Sequence, residues 1–321
     1  MASPSQRRAA IEPAGGEKRK QEPPVEEPAA KRVKTAANNF QRHTIFWYDD
    51  GSVFLQFGTT RMKLYRQRLA LNSVWFKELF QKSDELGVPI DVVDGLKLFY
   101  LEPTGVSLTD FEALLIAMED GIEYSFSKPT FPVLASIIRA ASALNFPKYL
   151  SFATTVLECS LPDKLDKVTK KPVPYAADAI VFARTQGLQQ LLKRAFYDLA
   201  RTESFENSAT EKHPVHKLDP ADLVRLLCLQ KRLTVAWLQA VAPPPINCIK
   251  SGCSVKAFMV PSAVVQEYYL DPICGIGELR KWNWAEKGHC VHCQDARPRW
   301  LREQQMTCWK NIDELLDLGD E

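Results

Sequence analysis

No stretch of about 18 consecutive apolar residues occurs in this 321-residue chain, which excludes a membrane-spanning helix. No apolar core follows Arg7 and Arg8, so no secretory signal is expected. Cysteine is absent before Cys159. Without a secretory route the eight cysteines are expected as reduced thiols, not a disulfide framework. No internal repeat of about 20–50 residues is visible, so no solenoid or propeller is attached. The catalytic signatures Gly-x-x-x-x-Gly-Lys-Ser/Thr, His-Glu-x-x-His and Gly-x-Ser-x-Gly are all missing. Gly275-Ile276-Gly277 has neither the third glycine nor the preceding strand of a dinucleotide fingerprint. The expectation is a protein that is not an enzyme.

Excess charge is also scarce: 41 Lys plus Arg against 39 Asp plus Glu leave +2. That balance hides a split. Residues 1–42 hold nine basic and five acidic side chains, so the remainder of the chain is slightly negative. Such a body has little of the positive surface that nucleic-acid binding uses, and direct nucleic-acid contact is not expected. What is present in ordinary amount is core-forming material: 45% hydrophobic and 10% aromatic residues.

Residues 1–39 contain no aromatic residue and no leucine but five prolines (Pro4, Pro13, Pro23, Pro24, Pro28). A segment with so little to bury cannot offset the entropy of ordering, and residues 1–42 are read as a disordered tail. Two basic clusters stand in it, Lys18-Arg19-Lys20 and Lys31-Arg32-Val33-Lys34, with Gln21 to Ala30 between them. Pro28 to Lys34 resembles a single-cluster nuclear import signal, and with the upstream cluster it resembles the two-part kind. Mobile cations of this kind suit the acidic, aromatic-lined groove of an importin, which implies nuclear localisation. The bland alternative is a solvating tail.

From His43 the pattern changes. Asp50-Gly51 is a turn signal, and Val53, Leu55 and Phe57 share one strand face, with Phe54 breaking the alternation. Gly58-Thr59-Thr60 turns the chain into a second strand, Arg61 to Tyr65. Ser73 caps a helix bearing Val74, Trp75, Phe76, Leu79 and Phe80. Pro89 to Val93 reads as a short strand. Thr109 to Glu112 reads as a capping box for a helix with Leu114, Leu115 and Met118. Pro132 opens a helix with Leu134, Ile137, Ile138, Ala141 and Leu144.

These residues carry a resemblance. Asp49-Asp50-Gly51-Ser52, the strand Arg61 to Arg66, Leu69-Ala70, Ser73, Phe76 and Phe80 resemble a BTB/POZ domain. The opening Phe46 to Ser52 is similar to the large fungal branch of that family. The resemblance spans residues 43–160 and implies an α+β module, a short hairpin-containing sheet flanked by helices. It also implies protein partners, through self-association or hetero-association. Phe46, Trp47 and Tyr48 are three consecutive aromatics and cannot all face inward. They are either a partner surface or the cover of the domain's open end.

Residues 175–321 read as a mainly helical C-terminal region. Lys164 to Pro174 is a charged, proline-bearing connector. Leu188, Leu191, Leu192, Ala195, Phe196 and Leu199 form one apolar stripe, after a break at Gly187. Asp219-Pro220 opens another helix, which stops before Pro243-Pro244-Pro245. A last helix is expected from about Pro298 to Leu318. Cys159 and Cys228 fall in helical patterns and read as small core residues.

The other six cysteines follow residue 247. Cys248 and Cys253 are four residues apart, and Cys290 and Cys293 have the two-residue spacing. Two close pairs of soft ligands are what a tetrahedral zinc site requires, so a structural zinc is one reading, with Cys274 and Cys308 as spare candidates and His289 or His292 able to substitute for a thiol. Partly buried free thiols are another. A redox Cys-x-x-Cys has no βαβ context here. Three functions are therefore carried forward: a BTB-mediated association protein in nuclear regulation, an adaptor of a cullin-type ubiquitin ligase, and a zinc-stabilised regulatory module in the C-terminal region.

Overall fold

The computed structural model describes residues 40–85, 91–119, 121–202 and 214–317. The import-signal residues Lys18, Arg19, Lys20, Lys31, Arg32, Val33 and Lys34 lie outside the described residues, as do Pro89 and Ile90. The fold is α+β. Strands β1 (Gln41–Trp47), β2 (Val53–Phe57) and β3 (Thr60–Leu64) precede helices α1 (Arg66–Asn72) and α2 (Val74–Glu85). Strands β4 (Val92–Val93) and β5 (Leu96–Tyr100) complete a sheet of order β1-β3-β2-β5-β4.

The hairpin β2–β3 turns at Gly58, whose φ of 53° suits glycine. β2 lies in the middle of the sheet, antiparallel to β3 and parallel to β5. All five of its side chains are buried, including Phe54, which alternation places outward. The covered second face explains this. Trp47 packs 5.5 Å from the Phe54 ring, and the Arg61 guanidinium lies 3.9 Å from the Phe40 ring while donating to Gln56.

The expected strand at 89–93 needs correction. Among the described residues only Val92–Val93 is extended there, at the sheet edge, and the strand that joins β2 is Leu96–Tyr100. Asp94 and Gly95, both at positive φ, make the tight turn between β4 and β5.

β1 runs parallel to β3 with a break in register between Arg42 and Trp47. His43 accounts for that break. Its Nδ1 accepts from the backbone N–H of Ile45 and Phe46, so the ring proton sits on Nε2 and goes to Glu112, 2.7 Å away. Phe46 is then turned into the core and leaves the candidate partner surface. Trp47 and Tyr48 are half-buried; Tyr48 stacks on Tyr65 and donates to Glu119.

Helices α3 (Leu108–Glu119), α4 (Glu123–Phe126), α5 (Phe131–Ala143) and α6 (Pro147–Ser160) pack beside the sheet. Ser73 caps α2 as read, with its Oγ accepting from Phe76. The cap of α3 is Ser107, not Thr109: its Oγ accepts from the Asp110 N–H, and the Asp110 carboxylate takes Arg139 on α5. Beyond the connector come α7 (Ala176–Gln186), α8 (Leu192–Ala200), α9 (Pro220–Val241), α10 (Ser262–Glu267), α11 (Pro272–Arg280) and α12 (Val291–Leu316). The main hydrophobic cluster runs unbroken from Leu55 and Phe111 through Leu157 and Leu161 to Phe196, Leu226 and Trp309.

The apolar stripe of α8 is only half of its story, because every residue of this helix is buried. Its other face carries Arg194, Asp198 and, just beyond it, Arg201. Asp198, wholly inaccessible, accepts from Arg194 Nε at 2.7 Å and from Arg201. Arg201 also reaches Asp271 at 2.8 Å, and Asp271 caps α11. Of the other donors, Arg194 Nη1 takes the Lys167 carbonyl and the Arg201 Nη atoms those of Thr169 and Lys171, while Arg201 Nε is buried without a partner. A polar segment is thereby held by buried cations.

A second, smaller core lies between α9, α11 and α12 and is centred on Trp237, Tyr268, Ile276, Trp284 and Leu301. Gly275 lets α11 approach it, since a Cβ there would meet Trp237 at 2.8 Å and Tyr268 at 2.6 Å. Overpacking a filled core costs about 1–3 kcal/mol. Gly275→Ala is expected to lower the urea midpoint accordingly, whereas Gly277→Ala, which faces only the end of Gln305, changes it little.

Candidate metal centre

The triple proline after α9 releases the chain into a loop that carries Cys248 and Cys253. Gly252, at φ 79°, bends the loop back, and the Cys253 N–H donates to the Lys250 carbonyl. The second pair sits differently from expectation. α12 begins at Val291, seven residues before Pro298, and takes the proline inside it. A proline read as a helix start is here in the second turn, where it removes one ladder hydrogen bond. Cys290 therefore occupies the N-cap position and Cys293 the first turn.

Two loops are laced together to align the pairs. The Ser254 N–H donates to the Gly288 carbonyl at 3.1 Å, and the Ser254 hydroxyl lies between the Lys287 carbonyl and His289 Nδ1. As a result the ligand atoms of Cys248, Cys253, Cys290 and Cys293 all lie within 4.8 Å of one another. Cys248 and Cys290 sulfurs are 3.6 Å apart. With a Zn–S bond of about 2.3 Å, the edge of a tetrahedron is about 3.8 Å, so the set is of ligand size. Cys293 is fully buried and the other three are half-buried.

The electrostatics divide the thiols. The Cys290 N–H donates to Cys253 Sγ at 3.4 Å, and this bond above all brings the Cys253 thiol down to about 6. Burial, then the neighbouring sulfurs, push Cys293 up. The positive end of α12 faces the set and favours thiolate. Four thiolates at this spacing need a cation to coexist. A divalent ion supplies one, and four protein ligands leave no open position for catalysis.

Comparison with protein-family models, curated proteins and solved structures gives no match. The functional reading thus rests on this chain alone.

Of the remaining cysteines, Cys159 and Cys228 are exposed, which corrects their reading as core residues; each lies on the outer side of its helix. Cys308 is buried, and burial pushes its thiol up to about 12; burial does the same for Cys274, followed by Asp271. With an ion held by the four sulfurs, titration with a thiol reagent is expected to show two fast-reacting groups, Cys159 and Cys228. Adding a chelator should bring in the four clustered thiols. An unchanged count would show that no ion protects them.

The Cys290-x-x-Cys293 spacing and its partner pair were visible in the sequence. His289, offered by the sequence as a substitute for a thiol, is not a member of the cluster. Its ring is buried with Nδ1 turned to Ser254.

Proposed function

We propose that this chain is a non-enzymatic scaffold for protein–protein association whose C-terminal region is stapled by a structural zinc. The observation that carries the zinc is the meeting of four cysteine sulfurs from two distant loops. All four ligands are protein side chains, which matches a closed structural site and not a catalytic one. Elemental analysis of the full-length protein, purified without chelator, is the test: about one zinc per chain is expected, and none would remove the reading.

The BTB/POZ-like assignment of residues 43–160 is supported by the order of elements, a hairpin, two helices, a returning strand parallel to the first, then helices. It proposes self-association or docking of a protein partner through that module. Light scattering on the purified chain tests the first. Monomer at all concentrations, together with no captured partner, would leave the module without that role. The basic clusters of the tail propose an importin as a further partner and the nucleus as the location. A variant with Lys31, Arg32 and Lys34 changed to alanine should distribute differently from the parent chain.

A further inference from the structure

Arg297 is fully buried on α12. Its guanidinium lies 5.1 Å from the ring centres of both Trp284 and Trp300. Only Nη2 has partners, the carbonyls of Ala240 and Ala242, at 3.5 and 3.4 Å. Nε and Nη1 are buried without a hydrogen bond, and among the described residues no carboxylate lies within ion-pair distance. Burial alone brings Arg297 down to about 10, so it is still a cation at neutral pH. A charge in that position demands a counter-charge.

The helix supplies the direction in which to look. Arg297 is four residues after Cys293, and both are buried, so they share a face of α12 one turn apart. Helical side chains lean toward the N-terminus, which tilts Arg297 toward the turn that holds Cys293. Ala240 and Ala242 end α9, just before the loop of Cys248. Four thiolates around one divalent ion leave two net negative charges. We propose that Arg297 is a positioning residue of the metal centre: its buried guanidinium is the counter-charge of the loaded tetrathiolate and raises its hold on the ion. This rests on the zinc reading above.

The test uses the full-length chain with zinc or cobalt(II) as the probe, competed against a chelator. Arg297→Met keeps an apolar stem between the two tryptophans and removes the charge. Loss of an outer-shell partner typically weakens a metal site 10–100-fold. Arg297→Met is expected to bind zinc about that much more weakly, and Arg297→Lys to recover part of the loss. The metal-free forms give the comparison. Without metal, where the cluster carries less negative charge, Arg297→Met should cost less stability than it does in the loaded form. Equal zinc affinity in parent and Arg297→Met would overturn the proposal, as would an equal loss of stability in the loaded and metal-free forms, the mark of simple packing. A parent chain that takes up neither zinc nor cobalt overturns the metal reading itself, which is a distinct result.

Discussion

With zinc bound as proposed, stripping the ion from the full-length protein is expected to lower its unfolding midpoint as much as the loss of a large buried side chain. The size follows from linkage: a ligand present at about 1,000 times its dissociation constant contributes about 4 kcal/mol to the folded state. Structural zinc in small domains reaches about 10–16 kcal/mol. The loss should centre on the smaller core. Trp284 packs 5.0 Å from His289, which is next to Cys290, so the near-ultraviolet signal of the tryptophans reports it directly. Cys293→Ser, at the one fully buried ligand, should reproduce most of the effect, and added zinc should not restore it. A chelated chain with an unchanged midpoint and signal would refute this. The effect of pH has a definite sign. In the metal-free chain Cys253 sits at about 6, below its ordinary value of 9.0. A depressed folded value contributes stability fully present above the ordinary thiol range and lost as pH falls toward 6. Metal binding acts in the same direction, because protons compete for thiolates. Acidification should therefore release the ion and weaken the fold together.

Asp198→Ala is expected to cost about 3–5 kcal/mol, since it leaves Arg194 and Arg201 buried without their shared carboxylate. Domains of this kind are stable by about 5–15 kcal/mol, so the variant should approach the limit of folding. The cost is not confined to α8. Asp198 also accepts from the Val173 N–H at 3.2 Å, and the arginines it orients hold the carbonyls of Lys167, Thr169 and Lys171. Urea unfolding measures the loss, and limited proteolysis between residues 164 and 174 measures the release of the connector. A loss under about 1 kcal/mol would mean that water or Asp271 compensates the pair.

Local signals in the sequence were read well where one residue type has one conformational use. Ser73 and Asp219 cap the helices assigned to them, Gly187 breaks α7 from α8, and the hairpin turns at Gly58. The cysteine pairs belong here too, because ligand spacing survives any fold that brings the loops together. The failures share a cause of another kind: they depend on what covers a face. Phe54 and Gln56 look outward by alternation until Trp47, Arg61 and Phe40 close over them. Arg194 and Asp198 look like the solvent side of α8 until the connector wraps that side. Cys159 and Cys228 look like core until the faces they occupy prove to be outer ones. β5 had a legible signal, Asp94-Gly95 between Val92-Val93 and the alternating Leu96 and Leu98, outweighed by the more obvious run before it. Pro298 misplaced the start of α12 because proline favours helix starts without being confined to them.

The clamp on the connector bears on how this protein is cut for study. Lys164 to Pro174 has the composition of a hinge, and an experimenter choosing fragment ends from sequence would place one there. Yet Leu157 and Leu161 before it and Ala176 and Ile180 after it belong to one cluster, and Arg194 and Arg201 grip its backbone. A piece ending near residue 160 would bare an apolar surface, and a piece beginning near 175 would take from Arg194 and Arg201 their carbonyl partners at Lys167, Thr169 and Lys171. Truncations at this point should be insoluble or molten. Loss of partner binding in such pieces would then report failed folding, so binding maps for this chain are better drawn with point variants of the intact molecule.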